Sequence, residues 1–186
     1  MTLRQLPNVI TIARILLVAP LVWLLHEADY RSAFWLALVA GASDGIDGFL
    51  AKQFDWRTRL GGLLDPIADK LLLNACVMAL WSIEALPGWL ALLVVGRDLL
   101  ILGGATAYHF LVKPLNASPS LLSKLTTVVQ ILLVLAVLTR LAWRWPPMEL
   151  IQPLLMLAAV LTVASGAHYV IQWSRRARQD WPERPA

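Results

Sequence analysis

Residues 44–69 read Asp44-Gly45-Ile46-Asp47-Gly48-Phe49-Leu50-Ala51-Lys52-Gln53-Phe54-Asp55-Trp56-Arg57-Thr58-Arg59-Leu60-Gly61-Gly62-Leu63-Leu64-Asp65-Pro66-Ile67-Ala68-Asp69. This stretch decides the fold because it sets carboxylates inside apolar runs. Asp44 and Asp47 are spaced i,i+3, and Asp65 and Asp69 are spaced i,i+4, so on helices each pair shares one face. The flanking runs are long enough to cross a bilayer, where an unpaired charge costs a few kcal/mol at least, about 2.5–3.5 on insertion scales.

Outward from this stretch, six apolar spans emerge, at Val9–Leu25, Ala33–Leu50, Gly62–Ala85, Trp89–Leu111, Leu121–Leu141 and Leu150–Trp173. Turn chemistry separates them: Leu86-Pro87-Gly88, the segment Lys113–Pro119, and Arg144-Trp145-Pro146-Pro147. The 186 residues are 59% hydrophobic and 15% charged, with a mean hydropathy of +0.66. A soluble domain would be nearer a quarter charged. Six helices of about 20 residues use roughly 120 positions, which leaves no room for a second domain. The expectation is one all-α membrane domain of six transmembrane helices over residues 1–186, with a polar tail from about 174 to 186. One cysteine, Cys76, excludes an intrachain disulfide. Basic clusters suited to nucleic acid are sparse.

The opening segment does not read as a cleavable signal peptide, because its apolar run contains Arg14 and no small-residue cleavage site follows. Lysine and arginine set the orientation. With the N-terminus inside, the inner segments hold Arg4, Lys52, Arg57, Arg59, Lys113, Arg175, Arg176, Arg178 and Arg184, and the outer ones hold Arg31, Arg140 and Arg144. Nine against three predicts both termini in the cytoplasm, and with them the loop Lys52–Leu60. No internal repeat supports an inverted-repeat transporter.

The second and third spans, joined by a short loop, are expected to be antiparallel neighbours whose four aspartates converge near the cytoplasmic face. Four carboxylates cannot gather as bare anions; protons or cations must neutralise some of them. Hard oxygen donors without nearby His or Cys point to Mg²⁺, Mn²⁺ or Ca²⁺ rather than zinc. Two such ions balance the charge and can hold a diphosphate. Gly45, Gly48, Gly61 and Gly62 remove bulk beside the aspartates.

The stretch resembles the signature of the CDP-alcohol phosphatidyltransferases, Asp-x2-Asp-Gly-x2-Ala-Arg-x8-Gly-x3-Asp-x3-Asp. Seven of the eight specified positions match at the right spacing, and Lys52 stands where the family has Arg. Lys52 keeps the charge and loses the bidentate fork. The opening Leu6-Pro7-Asn8-Val9-Ile10-Thr11-Ile12-Ala13-Arg14 is similar to the family's first-helix start. The resemblance implies displacement of CMP from a CDP-linked donor, usually CDP-diacylglycerol, by an alcohol, with Mg²⁺ or Mn²⁺ as cofactor. It assigns Asp44, Asp47, Asp65 and Asp69 to the metal site, with Asp69 also the base that deprotonates the acceptor. It assigns Asn8, Gly48, Ala51, Lys52 and Gly61 to the CDP donor, and it implies a homodimer.

Arg14, Arg97 and Lys124 are candidate acceptor-binding cations. Gly96-Arg97-Asp98 and Ser123-Lys124-Leu125-Thr126-Thr127 look more like the CMP-forming cardiolipin synthases, which use phosphatidylglycerol, than the phosphatidylglycerophosphate synthases, which use glycerol 3-phosphate. Thr126 stands where the latter commonly carry a second Lys. A dianionic phosphomonoester wants more positive charge than a phosphodiester, so the favoured acceptor is phosphatidylglycerol and the alternative is glycerol 3-phosphate. From different classes, a cation-coupled transporter and a non-catalytic scaffold remain as alternatives. Arg97 and Asp98 also read as a self-neutralising structural pair. His26, His109 and His168 are scattered, and most of the nine Trp lie near span ends, as at a membrane interface.

Overall fold

The computed structural model describes the backbone of residues 6–53, 61–111 and 120–180, and the side chains within them except at 6–12, 14, 44–53, 61–69, 105, 107–111 and 176–180. Six helices follow one another: α1 Leu6–His26, α2 Tyr30–Gln53, α3 Gly61–Ser82, α4 Gly88–Leu111, α5 Leu121–Trp143 and α6 Met148–Asp180. Each coincides with one of the six apolar runs.

The helix ends have local causes. Asp29 caps α2 by accepting Ser32 N–H at 3.3 Å, and Ser120 caps α5 by accepting Ser123 N–H at 3.2 Å. α1 closes in a Schellman motif: Asp29 N–H reaches Leu24 O at 3.0 Å and Ala28 N–H reaches Leu25 O at 3.3 Å. α3 closes the same way, with Ala85 N–H on Leu80 O at 2.8 Å and Glu84 N–H on Trp81 O at 2.9 Å. At α5, Arg144 N–H returns to Arg140 O at 2.7 Å. The left-handed residues in these turns are Ala28, Glu84 and Arg144, with φ of 59°, 60° and 59°. None is glycine, so each turn carries roughly 1 kcal/mol or more of backbone cost that tertiary packing offsets.

The helices close a ring. α1 packs against α2 and α3, α3 continues to α4, α4 to α6, α6 to α5, and α5 returns to α2. A smaller contact between α3 and α5 crosses the middle. Among the described residues α1 packs against both α2 and α3. The expected meeting of α2 and α3 falls on residues 44–53 and 61–69, whose side chains lie outside those described. The core is aliphatic, with Leu21, Leu25, Leu80, Leu90, Leu138 and Ile151 fully buried.

Large apolar side chains also cover the outside, among them Leu92, Leu99 and Leu102 on α4 and Met156, Val160 and Val163 on α6. Trp23, Trp35, Trp81, Trp89, Trp143 and Trp145 are exposed too. Apolar surface on this scale suits a lipid environment. Among the described residues, Leu121–Trp143 and Met148–Arg175 are long and apolar enough to cross a membrane. The six-helix expectation therefore stands as a bundle, with the span criterion met by two of its helices.

Candidate active site

Asp44, Asp47, Gly48, Ala51 and Lys52 lie on the last three turns of α2, and Gly61, Asp65 and Asp69 lie on the first turns of α3. Both carboxylate pairs thus stand on unbroken helix, so the i,i+3 and i,i+4 spacings do put each pair on one face. Asn8 and Arg14 belong to the first half of α1. The side chains of all these residues lie outside those described. Among the described residues no group of three or more His, Cys, Asp or Glu could hold a metal ion. The four aspartates of the signature are the donor set that the sequence nominates. Four hard anionic oxygen donors on two helices fit a Mg²⁺- or Mn²⁺-type ion and do not fit a thiolate- or imidazole-seeking one.

Next to this set the side chains are described, and they form one polar network. Asp98 on α4 is buried. Its Oδ1 accepts from Lys70 Nζ at 2.7 Å and from Arg97 Nη1 at 2.6 Å. Its Oδ2 accepts from Asn74 Nδ2 at 3.3 Å. Arg97, 5% exposed, sends Nη2 to Ser123 Oγ on α5 at 2.6 Å and to Ser165 Oγ on α6 at 2.8 Å. One carboxylate thus faces two cations. Burying ions costs several kcal/mol each unless they are paired and hydrogen-bonded, and this arrangement meets that condition for Asp98. Arg97 Nε and Asn74 Oδ1 are buried with no partner among the described residues.

A second polar strip joins α5 to α6. Gln130 Nε2 donates to Thr162 Oγ1 at 2.8 Å, and Thr126 Oγ1 reaches both Leu122 O at 2.7 Å and Leu161 O at 3.2 Å. Tyr169 Oη accepts Ser120 N–H at 3.2 Å beside the α5 cap.

Of the two candidate acceptor cations whose side chains are described, Arg97 is fixed inside the bundle. Lys124 is exposed on the first turn of α5, and the Arg14 side chain lies outside the described residues. Arg97 and Asp98 do form the self-neutralising pair that the sequence allowed, and the pair is wider than expected. Lys70, Asn74, Ser123 and Ser165 received no role from the sequence. The available signal was the i,i+4 spacing of Lys70 and Asn74, directly after Asp69, which puts both on one face of α3.

The family model for CDP-alcohol phosphatidyltransferases matches residues 4–164. The chain belongs to the CDP-alcohol phosphatidyltransferase family. It is 32% identical over 182 residues to a cardiolipin synthase (CMP-forming) / mitochondrial hydrolase fusion protein of Schizosaccharomyces pombe, covering 89% of this chain and 30% of that protein. It is 29% identical over 180 residues to the cardiolipin synthase (CMP-forming) of Homo sapiens, covering 88% of this chain and 60% of that one. With the CDP-diacylglycerol–glycerol-3-phosphate 3-phosphatidyltransferase of Bacillus subtilis it shares 29% identity over 181 residues, 89% of this chain and 93% of the other. The chain spans about a third to three fifths of the length of the eukaryotic cardiolipin synthases that it matches.

Proposed function

We propose that this protein transfers a phosphatidyl group from CDP-diacylglycerol to a glycerol-type acceptor and releases CMP. The observation that carries this reading is the signature itself: seven of its eight positions are kept, and both carboxylate pairs stand on continuous helices.

In this reading Asp44, Asp47, Asp65 and Asp69 hold two divalent ions, Mg²⁺ or Mn²⁺. Bound there, the ions supply charge neutralisation to the diphosphate and to the leaving CMP. Asn8, Gly48, Ala51, Lys52 and Gly61 receive the CDP moiety, with Lys52 acting as a point charge on the phosphates. Asp69 accepts the proton of the acceptor hydroxyl. The acceptor oxygen bonds to the lipid-side phosphorus, the bond from that phosphorus to the bridging oxygen breaks, and CMP departs. No covalent enzyme intermediate is required.

The favoured acceptor is phosphatidylglycerol, which makes the product cardiolipin. Arg97 supports this choice, since its Nη1 and Nη2 are already engaged by Asp98, Ser123 and Ser165. Arg14 and Lys124 are then the remaining candidate cations, and a phosphodiester needs fewer of them than a phosphomonoester. Glycerol 3-phosphate is the second reading, favoured by the Bacillus subtilis relative that matches over 93% of its length. All six helices span the membrane in this proposal, with both termini and the site in the cytoplasm, and the protein works as a homodimer.

The test is CMP release by purified protein with CDP-diacylglycerol and Mn²⁺ or Mg²⁺. Phosphatidylglycerol and glycerol 3-phosphate are supplied in separate tubes, with a chelator control. Metal-dependent release with phosphatidylglycerol alone supports cardiolipin synthesis. Release with glycerol 3-phosphate alone overturns the acceptor assignment. No release with either overturns the glycerol-type reading.

A further inference from the structure

Lys70 follows Asp69 directly on α3, and Asn74 lies one helical turn further along the same face. Both donate to the one carboxylate of Asp98 on α4, at 2.7 and 3.3 Å. Two anchors one turn apart fix the rotation of a helix as well as its height. Asp98 is itself held, because Arg97 donates to it at 2.6 Å and bonds to α5 and α6 through Ser123 and Ser165. The setting of α3 is thereby referred to three other helices.

The consequence for the aspartates is geometric. A rotation of about 10° about the helix axis moves a carboxylate oxygen, roughly 5 Å from that axis, by about 1 Å. A misplacement of about 1 Å at a reacting group can cost about 100-fold in rate.

We infer that Asp98 and Lys70 are positioning residues, a clamp that sets the rotation of α3 and so aims Asp65 and Asp69. The inference rests on the function proposed above. It requires no contact of either residue with substrate.

Lys70→Met is the primary variant. The Lys70 side chain is 38% exposed, and Asp98 keeps Arg97 as a partner, so the fold should survive. Two quantities are measured on purified protein: steady-state CMP release, and Mn²⁺ affinity from the free-ion EPR signal without lipid substrate. A thermal melt checks the fold. The expected result is a fall in kcat of at least about tenfold, with KM for donor and acceptor within about threefold, and Mn²⁺ affinity weakened by about tenfold. The sign of the metal effect is diagnostic. If Lys70 acted only as a nearby positive charge, its removal would tighten Mn²⁺ binding.

Unchanged kcat, tighter Mn²⁺ binding, or a rise confined to KM overturns the clamp. Asp98→Asn is the second variant. The two substitutions together should cost no more than the worse single one, because they cut the same link, whereas additive losses count against it. Wild-type protein that neither binds Mn²⁺ nor releases CMP sinks the proposed function and takes the clamp with it. An active, Mn²⁺-binding wild type with an indistinguishable Lys70→Met sinks the clamp alone.

Discussion

Arg97 Nη2–H donates to Ser165 Oγ at 2.8 Å, bridging α4 and α6. Gly166 stands next to that serine, and a Cβ there would meet Arg97 Cγ at 3.8 Å. The same nitrogen serves Ser123 on α5. A planar fork therefore joins three helices around one buried carboxylate, a task that a single ammonium cannot share out in the same geometry. Arg97→Lys is expected to lower stability by about 1–3 kcal/mol, through buried partners left unmatched. Ser165→Ala, which deletes one acceptor, should cost about 1 kcal/mol. Thermal unfolding in detergent measures both, and an Arg97→Lys variant as stable as wild type would show that the fork is dispensable.

Asp69→Asn separates proton transfer from binding. Turnover should fall by orders of magnitude while Mn²⁺ and CDP-diacylglycerol binding persist, because the amide keeps an oxygen donor but cannot take the acceptor proton. Near-normal turnover removes Asp69 as the base. Asp65→Asn should instead stay inactive at high Mn²⁺, and rescue by excess metal would assign Asp65 a lesser part in the metal site.

Gln130 gives a prediction of the opposite sign. Its Nε2 donates to Thr162, but its Oε1 is buried without a partner among the described residues. Thr162 keeps its own bond to Ala158 O at 2.6 Å whatever stands at 130. Interhelical side-chain hydrogen bonds in membrane bundles are worth only about 0.6 kcal/mol on average. Gln130→Met should leave stability unchanged or raise it by up to about 1 kcal/mol, since it removes an orphaned acceptor. A loss above about 2 kcal/mol in the same melts would argue for a partner on Oε1.

The Asp29 cap carries a pH dependence. Hydrogen bonds from Ser32 hold its carboxyl below the ordinary value of 3.8. A depressed folded-state value means that the unfolded chain binds the proton more readily. The cap's contribution is present in full above pH 3.8 and fades as pH falls through the lower folded-state value. Wild type should therefore be more stable than Asp29→Ala at neutral pH, with the gap closing in strong acid. The Asp29→Asn variant still accepts a hydrogen bond and should show little of this pH dependence. Melts from about pH 2 to about pH 7 compare the three, and a gap independent of pH would remove the carboxylate as its source.

Six helices were legible because apolar run length and turn residues are local properties. Leu86-Pro87-Gly88 and Arg144-Trp145-Pro146-Pro147 mark breaks that the structure keeps between α3 and α4 and between α5 and α6. The aspartates were legible for the same reason, since i,i+3 and i,i+4 spacing on a helix needs no knowledge of neighbours. Chain order does not say which helices touch. Sequence adjacency suggested α2 beside α3, but it did not show that α1 packs against both, nor that α5 returns to α2. That choice depends on how six apolar surfaces fill space together, a non-local packing problem.

The polar network divides in the same way. Arg97 and Asp98 were visible as charges where an apolar helix should carry none. That Asp98 would gather Lys70 and Asn74 from α3, while Arg97 reached Ser123 and Ser165, was not visible, because those partners lie 24 to 68 positions away. The sequence by itself determined the helices and the family, both written in short spacings, and by the same signal it nominates the carboxylate set. Only the tertiary structure decided which partners Arg97, Asp98 and Lys70 take, because a buried charge takes whichever groups the packed helices bring within reach.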